Sequence, residues 1–290
     1  MAVETRQESG DRRLNNSLVN RRILITGASS GIGEALARRC ANSGAEVIIL
    51  SDHIEGLIKV QNSICENGGK CQVYQLDLSS PTEVEGALAK IEAIYGPIDS
   101  LINNAGVGLG ATLLQTTATN LRFLFEVNFF SLHTLCKEAF DLMSDRGKGW
   151  IVNVTSAAAR CGSPGVSAYS ASKGAVHALT QAFRIESYGT GVEVSECLPI
   201  SVKTNFFKNV RGEQYKPEGV VLQSDRVAEV IANALTRARM PAEILPFRPI
   251  RLAFIIEATF PWLFSRYSQI LYFKSIKKAY VEQRRQNTKV

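Results

Sequence analysis

The chain has 290 residues, of which 45% are hydrophobic and 21% charged, and its mean hydropathy is close to zero. That composition buries the core of one large domain, and no internal repeat or low-complexity linker divides it. The formal net charge of +6 does not indicate a nucleic-acid partner, because the excess sits in one tail and no nucleic-acid fold signature occurs.

Residues 1–20 are polar, show no signal-peptide pattern and are expected to be disordered. Arg22–Thr26 is a short apolar strand ending at Gly27-Ala28-Ser29-Ser30-Gly31-Ile32-Gly33. A helical stretch, 34–40, and a second apolar strand, 47–50, follow, so the glycines lie at the strand-to-helix turn of a βαβ unit. Glycine there admits positive φ and close approach to a ligand, and the helix N-terminus offers free N–H groups to a pyrophosphate. The spacing is Thr-Gly-x3-Gly-x-Gly rather than the general Gly-x-Gly-x2-Gly dinucleotide pattern.

Strand two ends at Ser51-Asp52, roughly 20 residues past the last glycine, where a ribose 2′-hydroxyl arrives. A carboxylate accepts a hydrogen bond from that hydroxyl and repels a 2′-phosphate. With no Arg or Lys at Ser29, Ser30 or His53, NAD(H) is favoured over NADP(H), unless Asp52 only caps the next helix.

Further strands are expected at 71–76, 100–103, 150–155, 193–198 and 243–247, with helical patterns between them. This alternation predicts an α/β fold, a doubly wound parallel sheet with helices on both faces. Within it Tyr169 and Lys173 stand four apart, on one helix face. An unperturbed phenol, with a pKa of about 10, exchanges protons poorly at neutral pH, and a neighbouring cation favours the phenolate. Lowering that pKa to about 7 takes roughly 4 kcal/mol of differential stabilisation.

The six cysteines, 40, 65, 71, 136, 161 and 197, form no Cys-x2-Cys pair and are expected to be reduced, buried thiols of a cytoplasmic protein. His53, His133 and His177 show no metal spacing, so no metal is expected, and His177 reads as a packing or surface residue.

With Thr26-Gly27-Ala28-Ser29-Ser30-Gly31-Ile32-Gly33, Asn103-Asn104-Ala105-Gly106 and Tyr169-x3-Lys173 in this order, the chain resembles the short-chain dehydrogenase/reductase family from about Arg22 to Thr204. The resemblance implies a Rossmann-like fold of about seven parallel strands over 21–247, a nicotinamide cofactor and hydride transfer at a carbonyl or alcohol. It implies that Tyr169 is the general acid/base, that Lys173 tunes it and holds the nicotinamide ribose, and that Ser156, 13 positions before Tyr169, holds the substrate oxygen. Asn128 would interrupt a helix and anchor a water leading to Lys173. On the cofactor side the resemblance carries over Gly27, Ser29, Ser30, Gly31, Ile32, Gly33, Asp52, Asp77, Leu78, Asn104, Ala105, Gly106 and Thr204. Asp77 would take the adenine amino group or instead cap the helix after Pro81. A homodimer or homotetramer is implied. One departure is Pro199-Ile200 where the family has Pro-Gly; isoleucine cannot adopt a left-handed conformation cheaply.

Residues 205–222 are expected to form a flap over the substrate, with Phe206 and Phe207 either lining an apolar pocket or packing in the core. From 241 to 290 there are nine Lys/Arg, three Asp/Glu and nine aromatic residues. The apolar run 252–264, broken by Glu257 and Pro261, is shorter than the roughly 20 residues of a spanning helix. The extension 248–290 is expected either to lie as an amphipathic helix on a membrane surface or to pack on its own domain or a partner. The first alternative suits a hydrophobic, lipid- or sterol-like substrate. A nicotinamide-binding scaffold or redox sensor of the same fold is the other functional class.

Overall fold

The computed structural model describes residues 17–204, 206, 211–212 and 220–275, with backbone alone at 211–212 and 271–275. The main strands are β1 Arg22–Thr26, β2 Glu46–Ser51, β3 Lys70–Gln75, β4 Ser100–Asn103, β5 Gly149–Val154, β6 Val192–Cys197 and β7 Glu243–Ile244. They form one sheet in the order β7-β6-β5-β4-β1-β2-β3, and each neighbouring pair is parallel. The longer helices are α1 Gly31–Asn42, α2 Ile54–Glu66, α3 Ala87–Tyr95, α4 Ala118–Phe125, α5 Ser131–Asp145, α6 Ser167–Glu186, α7 Ser224–Leu235, α8 Ile250–Thr259 and α9 Pro261–Ser275, with a single helical turn at Pro81–Val84.

Both sheet faces are covered, which is why the strands read as continuous apolar runs. Ile23, Ile25, Val47 and Ile49 point into one core with Leu36 of α1 and Ile231 of α7. Leu24, Ile48 and Leu50 point into the other with Ile91 of α3, Leu135 of α5 and Val176 of α6. Strand order reverses between β1 and β4, and the crevice beyond their carboxyl ends is the ligand position of such sheets.

Several boundaries differ from expectation. Helix α1 starts at Gly31 rather than at residue 34, so two of the glycines belong to its first turn. Strand β7 stops at Ile244, because Pro246, without an N–H, cannot continue the ladder. Ser17–Asn20 are ordered: Leu18 is fully buried and its N–H donates to Ser43 O at 3.0 Å. Residues 1–16 lie outside the described residues, as do Phe207 and most of the expected flap.

The C-terminal extension forms two helices meeting at Phe260, where Pro261 opens α9. Phe254 is 3% exposed against Cys161 and Leu198, with the Arg160 guanidinium 4.3 Å above its ring. The extension therefore packs on its own domain along one side. Among the described residues no helix is long and apolar enough to cross a membrane.

Candidate active site

The glycine turn is set by close packing. Gly27 and Gly31 have φ of +64° and +63°, and a Cβ on Gly33 would stand 2.5 Å from Gly27 O and 2.6 Å from Asn104 Nδ2. Thr26 and Asn104 staple the turn to the end of β4. Thr26 Oγ1 accepts from the N–H groups of Asn104 (3.0 Å) and Ala105 (2.9 Å), and Asn104 Nδ2 donates to Thr26 O at 2.9 Å. Sequence reasoning gave Thr26 no site role; its place as the last strand residue before a glycine was the available signal.

Asp52 is exposed and accepts from Ser51 Oγ at 3.0 Å. The capping of α2 falls to His53, whose Nδ1 accepts from Gly56 N at 3.1 Å, so Asp52 is not spent on that helix. Lys59, on α2, lines the same cleft. Asp77 Oδ1 accepts from Ser79 N at 2.8 Å, a local turn, and Leu78 is 8% exposed beside it.

At the other end of the cleft stand Ser156, Tyr169 and Lys173. Ser156 follows β5, and its Oγ accepts from Ala158 N at 3.1 Å; the hydroxyl proton remains to be donated outward. Thr155, by contrast, turns its hydroxyl inward to Glu196 Oε1 at 2.7 Å. Tyr169 and Lys173 lie in the first turns of α6. Lys173 is 3% exposed and its Nζ donates to Val154 O at 3.1 Å. Burial pushes its pKa from 10.5 down to about 8, opposed by the Glu196 carboxylate.

Asn128 sits in a π-turn, Glu126–Phe130, joining α4 to α5. Its fully buried side chain accepts from Val107 N at 2.8 Å and donates to Val107 O and Ser172 Oγ, both at 3.0 Å. A Cβ on Gly106 would lie 3.2 Å from both Asn128 Oδ1 and Lys173 Nζ, so those groups crowd one glycine. Thr204 faces Gly31, with its methyl 3.1 Å from where a Cβ would stand. Ile200 is unstrained: among described residues the single non-glycine with positive φ is Asn20.

The glycine turn, Asp52, Asp77, Asn104, Gly106, Ser156, Tyr169, Lys173 and Thr204 line one cleft of about 1610 Å³, while Gly33 and Asn128 stand behind its lining; that is more than the 300–1,000 Å³ typical of a small-ligand site. A cleft of that volume has room for a dinucleotide and a second molecule, and Gly27, Gly31 and Gly106 line it. Phe206 meets the Tyr169 ring edge-on, centroids 5.8 Å apart. Phe264, Tyr267 and Ser268 of α9 line the far wall, a role that composition alone did not separate from surface exposure.

His177 is neither simple packing nor free surface, for its Nδ1 lies 2.7 Å from Glu196 Oε2. All six cysteines are unpaired, and Cys65 alone of them is exposed. Burial pushes the Cys40, Cys71 and Cys136 thiols up to about 12.

The model of the short chain dehydrogenases matches residues 21–215, and the chain belongs to that family, whose members are dehydrogenases and reductases acting on alcohols and ketones. It is similar to the ketoacyl reductase HetN of Nostoc sp., 32% identical over 223 residues that cover 77% of this chain and 76% of the relative. It is also similar to a 3beta-hydroxysteroid dehydrogenase of Mediterraneibacter gnavus, 36% identical over 63% of this chain and 66% of that one. A short-chain dehydrogenase from Sphingobium yanoikuyae, solved with NADPH, superposes with a TM-score of 0.72 at 26% identity, covering 84% and 95% of the two chains. One from Burkholderia phymatum, solved with NAD, gives 0.76 at 24% identity over 85% and 96%, a likeness of fold.

The buried lysine has a measurable cost. Between pH 8 and 10.5 the unfolded chain, with its lysine at 10.5, binds more protons than the fold, so stability rises with pH across that window. Below it the penalty is present in full, up to about 3 kcal/mol. Lys173→Met is therefore expected to unfold at higher urea than wild type at pH 7. The gap should narrow as pH rises from 8 to 10.5; a constant gap would show that burial of the charge is not the cause.

Proposed function

We propose that this enzyme is an NAD(H)-preferring oxidoreductase for a hydrophobic, lipid- or sterol-like carbonyl/alcohol pair. The observation that carries the reading is the meeting of Ser156, Tyr169 and Lys173 in one cleft with the glycine turn. The dinucleotide supplies or takes the hydride when bound. Gly27, Ser29, Ser30, Gly31, Ile32 and Gly33 hold its phosphates, and Asp52 the adenosine ribose. Asp77 and Leu78 flank the adenine, while Asn104, Ala105, Gly106 and Thr204 line its path to the catalytic end.

In the reducing direction Tyr169 gives its phenolic proton to the substrate oxygen, which Ser156 holds by a hydrogen bond. The Lys173 ammonium favours the phenolate left behind and bonds the ribose hydroxyls. Asn128, at the π-turn, anchors the water through which the proton returns. Replacing Tyr169 by Phe should leave NADH affinity within about threefold and lower kcat by about 10³ or more. Stopped-flow turnover with fluorescence titration of NADH checks this, and a parallel loss of affinity and rate would contradict the role. A wild type that binds NADH but turns over no carbonyl or alcohol would instead favour the scaffold or redox-sensor reading.

Asp52 carries the cofactor preference, since its carboxylate and a 2′-phosphate repel each other while Lys59 offers a cation nearby. Asp52→Ser should raise kcat/KM for NADPH by about tenfold, the size of a 1.4 kcal/mol repulsion removed. An unchanged NADH-to-NADPH ratio would refute the assignment.

Two of the similar proteins are named for ketoacyl and hydroxysteroid substrates, and the apolar lining from Phe206, Phe264 and Tyr267 suits molecules of that kind. The assembly in keeping with the family resemblance is a homodimer or homotetramer. The outer side of α8 and α9 exposes Leu252 (64%), Ile255 (60%) and Trp262 (70%), with Arg248, Arg251 and Arg266 exposed among them. An anionic bilayer surface complements both the charge and the apolar side chains. Wild type should float with phosphatidylserine-containing liposomes at low salt and not with neutral ones. The triple variant Leu252→Ser, Ile255→Ser, Trp262→Ser should stay at the bottom of the gradient; equal flotation of both proteins would remove the membrane reading.

A further inference from the structure

Just below the strand ends that carry the site, one row of the sheet is polar. Asn103, Asn153, Glu196 and Glu243 stand side by side on β4, β5, β6 and β7 in the parallel register. The asparagines are linked, Asn103 Nδ2 donating to Asn153 Oδ1 at 2.9 Å, and Asn153 Nδ2 donates to Thr180 Oγ1 on α6 at 2.9 Å. Glu243 is ion-paired with Arg160 at 3.0 Å. Glu196 is different: an acid at 1% exposure with no arginine or lysine in hydrogen-bond contact among the described residues. Burying a carboxylate is costly unless its oxygens are hydrogen-bonded, and its two bonds have a particular geometry.

One oxygen accepts from Thr155 Oγ1 at 2.7 Å and the other pairs with His177 Nδ1 at 2.7 Å. Gln181 Nε2 lies 3.1 Å from His177 Nε2, so the imidazole is held between Gln181 and the Glu196 carboxylate. Thr155 belongs to the segment Val154-Thr155-Ser156. In it the first residue's carbonyl holds Lys173, the second's hydroxyl holds Glu196 and the third lines the cleft. On α6, Tyr169, Lys173 and His177 follow at successive turns, facing the cleft, Val154 and Glu196 in that order. One carboxylate thus joins the strand end bearing Ser156 to the helix bearing Tyr169 and Lys173.

Resting on the oxidoreductase reading above, we propose that Glu196 is a positioning residue of the active site. Its buried carboxylate clamps Thr155 and His177, so fixing Ser156 relative to Tyr169, and its negative charge keeps Lys173 in the ammonium form. The charged and titratable groups around this carboxylate are His177 and Lys173 from α6, Glu243 beside it on β7, paired with Arg160 of the segment after β5, and the neighbouring Cys197, which points into the opposite core. Burial alone drives Lys173 down, to about 8 with Glu196 present. Without the carboxylate it loses its proton at a lower pH still.

The test compares Glu196→Gln and Thr155→Val with wild type by NADH fluorescence titration and turnover from pH 6 to 9.5. In Glu196→Gln the alkaline loss of NADH affinity should begin about one pH unit lower, about tenfold weaker binding at pH 8.5, with kcat reduced at least fivefold at pH 6.5. Thr155→Val keeps the charge, so its affinity curve should overlay wild type while kcat still falls at least threefold. An unshifted affinity curve in Glu196→Gln overturns the charge role, and wild-type kcat in Thr155→Val overturns the clamp. Should Glu196→Gln fail to fold, Thr155→Val still decides the clamp, and Glu196→Met, which removes the buried charge with a side chain of similar length, decides the charge by the same downward shift of the curve or none. Wild type that binds NADH yet reduces no carbonyl defeats the oxidoreductase reading, while the affinity curves still decide the charge role.

Discussion

An ammonium group at 3% exposure has to be solvated by the protein, and the centre of this molecule is arranged to do so. Lys173 gives one hydrogen bond to the Val154 carbonyl and lies in the field of Glu196. Neither fully offsets the loss of water, which leaves its proton less tightly held than that of a surface lysine. A group near the start of α6 is therefore one whose charge depends on its surroundings near working pH. Gly106 matters for the same reason: any side chain there would crowd both Nζ and Asn128 Oδ1 at 3.2 Å. Asn128 in turn holds the Val107 backbone from both sides, so the loop that passes the lysine has little freedom to move away.

The remaining precision comes from strand ends rather than loops. β1 delivers the glycine turn, β4 the Asn104 staple, and β5 the segment ending in Ser156, all at the point where strand order reverses. The loop after β5 is itself tied to the one after β6, Ala157 N donating to Pro199 O at 2.8 Å. With Ile200 in an unstrained conformation, the Pro-Ile departure from the family pattern leaves this tie intact. The glycine turn, Asn104 and Ser156 are thus carried by one sheet, whose registry sets their separation.

Much of this was legible in the sequence because the signals were local. A glycine at positive φ, a Tyr-x3-Lys pair on one helix face and short β-branched runs each follow from spacing within a few residues. Strand ends were placed to within a residue, except where Pro246 cut β7 short. Contacts between distant segments were not legible. Nothing near His177 announces Glu196, 19 positions on, and nothing near Asp52 announces that His53 takes the cap of α2. Leu18 and Val19 stand side by side in a mostly polar stretch, and the sequence does not mark Leu18 as the buried one, its N–H bonded to Ser43 O.

The C-terminal extension shows why composition alone divides such a segment poorly. Its aromatic and basic residues fit a surface helix or a packed one, and the structure puts both roles on the same two helices. Phe254 is buried against Cys161 and Leu198, Phe264, Tyr267 and Ser268 form cleft wall, and Leu252, Ile255 and Trp262 face outward. Tyr267 does two of these at once, lining the cleft while 60% exposed. Across the opening, Thr112 and Gln115 line the cleft and the Leu113 and Leu114 between them are 79% and 91% exposed. Apolar side chains therefore stand on both sides of the mouth, where water alone would disfavour them. Exposed apolar side chains next to a cleft lined by Phe206, Phe264 and Tyr267 favour burial of an apolar group there, because each contact removes apolar surface from water.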